Sequence, residues 1–107
     1  MKLIDLVSYF RQGGTFEDFC KTHSLNSEAE VIEIYAQEPV NLESSLGFFP
    51  VEETGGLVAY MSGGVKYRNL FDFFYFLDVI EEVKAKDAPP KDAELAQILL
   101  SYALKDA

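Results

Sequence analysis

Cys20 and His23 are the residues best suited to chemistry, since a thiolate and an imidazole can bind a metal or act as nucleophile and base. They lie three residues apart on a predicted helix and so can share one face, with Glu17 one turn earlier. The chain has no second cysteine or histidine. Because a structural zinc site needs four ligands and a catalytic pair needs a third, orienting group, we predict no metal site, no cofactor and no catalytic centre.

Two glycine pairs and two glutamate pairs are the other patterns that could support catalysis or ligand binding. Neither Gly55-Gly56 nor Gly63-Gly64 leads into a helix with a lysine at the spacing of a phosphate-binding loop, so both indicate turns. Glu52-Glu53 and Glu81-Glu82 would need burial to raise a carboxyl pKa into a catalytic range, and the sequence indicates solvated positions instead. We therefore predict that the protein is not an enzyme.

An acidic block is the most informative feature of the chain. No lysine or arginine occurs between Lys21 and Lys66, and the whole chain has a net charge of -9. Such a block repels nucleic acid and anionic membranes and speeds the encounter with basic proteins. The block is explained either by a basic protein partner or by solubility alone. Its glutamates are Glu28, Glu30, Glu33, Glu38, Glu43, Glu52 and Glu53.

Residues 15–31 have the spacing of a helix-turn-helix, a motif whose second helix reads bases in DNA. That second helix would present Glu28, Glu30 and Glu33 and no basic residue. Because phosphate contacts require positive charge, we predict no nucleic-acid binding. The alternative interpretation is a helical hairpin that packs on a sheet.

Caps and apolar spacing predict the elements that position these residues. Helices are predicted before Gly13-Gly14, after Thr15, after Asn69 and beyond Pro89-Pro90. Residues 27–37 fit a helix because they begin with a capping box, but their β-branched residues leave a strand open.

Short apolar runs beside Gly55-Gly56 and Gly63-Gly64 predict two hairpins and a three-stranded antiparallel sheet. A sheet this small needs helices over one face. We therefore predict a single α+β domain over residues 1–107 in the order α-α-(α)-β-β-β-α-α, with the helices packed on one face of the sheet.

The aromatic run from Phe71 to Phe76 predicts a helix that is apolar on most of its circumference. A helix in a domain of this size usually buries one stripe, and Phe71 and Tyr75 fall to the side of that stripe. One interpretation is a central helix sandwiched between the sheet and the last helix. The other is that these two aromatics remain partly exposed and anchor a partner or a second copy.

Cysteine content and apolar runs indicate the compartment. A single cysteine excludes an internal disulfide and fits a reducing environment. The N-terminal segment is interrupted by Asp5 and lacks the apolar core and cleavage site of a signal peptide. The longest apolar run, Phe73 to Leu77, is too short to span a bilayer. We expect a cytoplasmic protein that does not bind membranes.

In size, acidity, α+β organisation and lack of catalytic residues, the whole chain resembles small acidic bacterial immunity proteins, which block basic nuclease toxins. The resemblance implies a non-enzymatic inhibitor that binds a basic protein. The alternative is a homo-oligomeric structural or regulatory domain, such as a homodimer packed through its last two helices. Acids and aromatics on one surface favour the basic partner, and separate patches favour self-association. The partner-binding residues that we select from charge and expected exposure are Glu33, Glu38, Glu52, Glu53, Phe71 and Tyr75.

Overall fold

The computed structural model describes residues 1–105 and has the predicted α+β class. Its elements are, in chain order, α1 (Leu3–Arg11), α2 (Phe16–Thr22), β1 (Ile32–Gln37), β2 (Leu46–Pro50), α3 (Val51–Thr54), β3 (Ala59–Ser62), β4 (Val65–Asp72), α4 (Phe73–Lys84) and α5 (Asp92–Lys105). The strands form one antiparallel sheet in the order β2-β1-β4-β3.

The two glycine pairs have different roles. Gly63 and Gly64 join β3 to β4 with φ values of 57° and 80°, as the mirror-image turn of a tight hairpin requires. The second predicted hairpin is thus confirmed. The first is wrong, because Gly55 instead ends α3 in the left-handed conformation, with φ 65°. Strand β2 pairs with β1 and not with β3.

The helix predicted for residues 27–37 is wrong, and its strand alternative is correct for Ile32–Gln37. The side chain of Asn26 accepts from the Glu28 N–H at 3.0 Å in a local turn, so the expected cap at Ser27 does not start a helix. β1 then pairs with strands on both sides, which suits β-branched residues. The sheet therefore has four strands instead of three. The reading helix of the helix-turn-helix interpretation does not exist.

Helix α4 begins later than predicted, because Asp72 caps it in place of Asn69. The Asp72 carboxylate accepts from the Tyr75 N–H at 2.8 Å. Asn69 belongs to β4, which continues to Asp72 and is irregular opposite Ile34 and Tyr35 in the manner of a β-bulge.

The buried core lies between the four longer helices and one face of the sheet. Ile32, Ile34 and Ala36 alternate onto this helix-covered face and join a cluster that includes Phe73 and Phe76. At the edge of the cluster, Asp92 accepts hydrogen bonds from Ser8 and Arg11 and so joins α5 to α1.

Candidate functional site

Four aromatic side chains cluster on the second face, which we define as the side of the sheet opposite the longer helices. Phe49 is central: its ring centroid lies 5.4 Å from that of Tyr35, 5.1 Å from that of Tyr60 and 5.4 Å from that of Tyr67. Gly47 permits this packing, because a Cβ there would lie 2.8 Å from the Phe49 ring. Tyr35 is buried and the other three rings are half-buried, so the cluster presents aromatic surface to solvent.

Tyr35 anchors the chain that crosses this face. Its hydroxyl donates to the carbonyl oxygen of Leu57 at 2.7 Å, which holds the segment after α3 against the sheet. Burial raises the pKa of the Tyr35 phenol, because the phenolate would lose its hydration. The hydroxyl therefore stays protonated and keeps donating well into alkaline solution.

Glu33 lies on the second face, as its place in β1 requires, and is half-buried. Asn69 Nδ2 donates to its Oε2 at 2.7 Å, and Thr54 Oγ1 donates to its Oε1 at 3.5 Å. These contacts connect β1, β4 and α3. The carboxylate thus adds negative charge to the face while holding its parts together.

Glu52 and Glu53 are exposed on α3, and Glu53 reaches the border of the aromatic cluster. The Tyr60 hydroxyl donates to Glu53 Oε2 at 2.8 Å. This bond to a carboxylate raises the pKa of Tyr60, since removing the proton would leave two anions in contact. An acid and an aromatic side chain therefore meet directly at this point.

Exposed apolar side chains also lie next to this surface, at Leu57 and Val58 just before β3 and at Met61 on the side of β3 opposite Tyr60. Leu57, Val58 and Met61 are 57%, 62% and 60% exposed. They are not among the partner-binding residues selected from the sequence. The signal that could have identified them is their place in residues 54–65, the longest stretch of the chain without a charged residue.

Glu38 does not belong to this site. It follows the opposite end of β1 and forms an ion pair with Lys66, with Nζ 3.9 Å from Oε2. Lys2 pairs in the same way with Glu43. Cations from outside the acidic block therefore neutralise part of it in the folded chain, although none occurs within it.

Phe71 and Tyr75 lie in the helix-covered half of the molecule, away from Glu33 and Glu53. The expectation that Phe71 is an exposed anchor is wrong, since it is 7% exposed and belongs to the core. Tyr75 is half-buried and stacks on Tyr102, with ring centroids 4.9 Å apart.

Cys20 and His23 show no catalytic or metal-binding arrangement. Cys20 is buried in the core, and burial raises the pKa of its thiol, which keeps the sulfur protonated and unreactive. His23 is exposed and stacks on Phe19 at 4.2 Å. Within residues 1–105, no three histidine, cysteine, aspartate or glutamate side chains are grouped to hold a metal ion.

The chain matches no protein-family model, no curated protein and no solved structure. Among residues 1–105, no helix combines the length and apolar character needed to cross a membrane. Function is therefore inferred from the second face itself.

Proposed function

We propose that this is a non-enzymatic binding protein whose second face binds a basic surface of another protein, in the manner of an immunity protein that blocks a nuclease toxin. The observation that supports this most directly is the contact between Tyr60 and Glu53. This contact brings aromatic and acidic side chains together on one surface, as we expect for a surface that binds a basic partner.

Charge on this face supports the same proposal. Glu33 is the strand partner of Phe49, Glu53 contacts Tyr60, and Glu52 adjoins Glu53 on α3. The two cations of β4, Lys66 and Arg68, pair in the strand register with Met61 and Ala59 on the helix-covered side. Strand residues on the second face therefore include no lysine or arginine. A basic surface would be steered here by charge and held by aromatic and apolar contacts.

The buried, protonated thiol of Cys20 is compatible with a reducing compartment, and we place the binding in the cytoplasm. Inhibition would follow if the bound surface includes the active site of the partner. Neither step needs a cofactor.

Self-association through the helices is the second candidate. Phe74 is 48% exposed on α4, and Ile98 and Tyr102 are 56% and 42% exposed on α5. Ile98 and Tyr102 border a shallow depression of about 370 Å³ on α5. These apolar residues are separate from the acids of the second face, as a homodimer would require. Light scattering across a range of concentrations tests this candidate.

The test of the main proposal compares two pairs of adjacent, exposed glutamates. Affinity capture from the source cell identifies the partner and its isoelectric point, and association rates are then measured at several salt concentrations. One variant carries Glu52→Gln and Glu53→Gln on the second face. The control carries Glu81→Gln and Glu82→Gln on α4, with the same change in net charge.

We expect the Glu52/Glu53 variant to associate several-fold more slowly and to lose most of the salt dependence, because rim charges mainly set the on-rate. The Glu81/Glu82 control should associate at nearly the rate of the original chain. Equal rates for both variants from low to high salt would show that the second face is only a solvated surface. Glu33 and Glu38 are left unchanged, since Glu33 joins three elements of the fold and Glu38 pairs with Lys66. The bond of Glu53 to Tyr60 and the ion pair of Glu81 with Lys84 both lie at the surface.

A further inference from the structure

We infer that the basic partner contributes an extended segment that pairs with the free edge of β3 and becomes a fifth strand of the sheet. This inference rests on the proposed function and specifies how the partner binds. It starts from a difference between the two edges of the sheet, which are β2 and β3.

The chain itself blocks the β2 edge at both of its ends. The N–H of Leu46 already donates to the carbonyl oxygen of Met1 at 2.8 Å. At the other end of the strand, Pro50 has no N–H to offer. These are two of the ways in which natural proteins protect an edge.

The β3 edge is only four residues long, and neither of these two features blocks it. Ser62 pairs with Val65 across the two-residue turn, so Tyr60 and Ser62 direct their backbone groups toward β4. The Val58 carbonyl also points inward and accepts from the Asn69 N–H at 2.8 Å. By this alternation, the N–H and C=O groups of Ala59 and Met61 point away from the sheet. Within residues 1–105, no hydrogen bond or covering element uses these outward groups.

The side chains of this edge also lack protective features. From Leu57 to Gly64 the chain has no charged residue and no proline. An exposed apolar edge without such features is a template for another strand. Strand addition uses backbone hydrogen bonds for affinity and alternating side chains for specificity.

Charge indicates which kind of strand fits. On the second face, an added strand would lie beside Tyr60 and Glu53, where lysine or arginine is favoured. On the helix-covered side it would lie beside Ala59 and Met61, and Lys66 is the partner of Met61 on β4. Apolar side chains of the added strand are favoured on this side. The matching segment alternates basic and apolar residues. A second copy of β3 offers no cation, and two chains of charge -9 repel each other.

The test uses a synthetic peptide of alternating lysine and valine as its probe. A control peptide has the same composition with lysines and valines in separate blocks. The variant Met61→Pro removes only an outward N–H and leaves the β4 hydrogen bonds intact. The variant Met61→Leu is its matched control, since it keeps the N–H and the apolar side chain.

We expect the alternating peptide to bind more tightly than the block peptide. Met61→Pro should lower the affinity for the alternating peptide about tenfold relative to Met61→Leu, because the variant loses a backbone hydrogen bond that also aligns the peptide. In the original chain, the peptide should slow amide hydrogen exchange at Ala59 and Met61. This second measurement decides the question even if Met61→Pro does not fold.

Three results would overturn strand addition. The first is that the alternating peptide does not bind at about 1 mM, a concentration that corresponds to a binding free energy of only about -4 kcal/mol. The second is that the alternating and block peptides bind equally. The third is that the peptide does not slow amide exchange at Ala59 and Met61. A homodimer abolished by Met61→Pro would assign the edge to a second copy and also overturn it. A further outcome is that the double variant Glu52→Gln with Glu53→Gln slows association of the natural partner while Met61→Pro leaves its affinity unchanged. In that case strand addition fails and the proposed function stands.

Discussion

The two faces of the sheet are built from alternate residues of the same strands, yet they are held together by different forces. On the helix-covered face, Ile32 and Ile34 are buried in the hydrophobic core cluster. On the second face, Glu33 and Tyr35 hold neighbouring segments through side-chain hydrogen bonds. A one-residue change in register would exchange the two sets, so the pairing of β1 decides which residues are buried and which can bind.

This difference assigns separate tasks to the two faces. Apolar burial supplies most of the stability of a small domain and leaves little surface for a partner. Hydrogen bonds contribute less to stability but hold charged and aromatic groups in fixed positions near solvent. Substitutions on the helix-covered face should therefore reduce the free energy of unfolding, whereas substitutions on the second face should mainly change local chemistry and binding.

The largest expected effect comes from Phe73→Ala, which removes a fully buried ring from the helix-covered face. We expect the free energy of unfolding to fall by about 3–5 kcal/mol, because transfer and cavity costs add. Phe74→Ala, at the adjacent and exposed position, is the matched control and should cost much less. Urea unfolding measures both. Similar losses for the two variants would contradict the division between buried and exposed positions on α4.

Much of the helix-covered half could be predicted from the sequence, because its signals are local. The Thr15 side chain caps α2 as expected, accepting from the Asp18 N–H, and Gly63-Gly64 forms the expected turn. Local signals failed for β1, where pairing with two strands outweighs a capping box at Ser27. They also failed at Asn69, whose side chain donates to Glu33 instead of capping a helix.

The next effect concerns the buried hydroxyl of the second face. Tyr35→Phe keeps the ring but removes the donor to the Leu57 carbonyl oxygen. We expect a loss of about 1 kcal/mol in the free energy of unfolding. Tyr67→Phe is the control and should change it by less than about 0.5 kcal/mol, because its hydroxyl donates to no residue within 1–105. Equal effects in urea unfolding would show that the Tyr35 bond does not stabilise this face.

Alkaline pH should reduce stability through the same phenol. Because burial raises its pKa, folded Tyr35 keeps its proton to a higher pH than the unfolded chain, whose tyrosines have a pKa of about 10. The contribution of this pKa difference to the free energy of unfolding is complete below a pH of about 10 and is lost as the pH rises through the pKa of folded Tyr35. We expect Tyr35→Phe to show a shallower alkaline fall in unfolding free energy than Tyr67→Phe. Identical pH profiles would contradict the assignment to Tyr35.

The second face itself could not be assembled from the sequence, because its contacts join residues that are far apart along the chain. Glu33 meets Asn69 across 36 positions, and Tyr35 meets Leu57 across 22. The acidic block did suggest Glu33, Glu52 and Glu53 as candidates, because their charge is visible in the sequence. The ion pair of Glu38 with Lys66 and the burial of Phe71 depend on the strand pairing and so required the structure.

The smallest effect on stability is expected from Glu53→Gln, but it reports most directly on the proposed site. The hydrogen bond to a carboxylate raises the pKa of Tyr60, and a glutamine carbonyl can still accept that bond without the negative charge. The pKa of Tyr60 should therefore fall toward its ordinary value, while that of Tyr35 stays raised because its main cause is burial. Tyrosinate absorbance, with Tyr60→Phe to assign the transition, measures the change. Because both side chains meet at the surface, unfolding in urea should change little. An unaltered Tyr60 titration in Glu53→Gln would mean that acid and aromatic do not meet in solution, and the proposed binding surface would lose its main support.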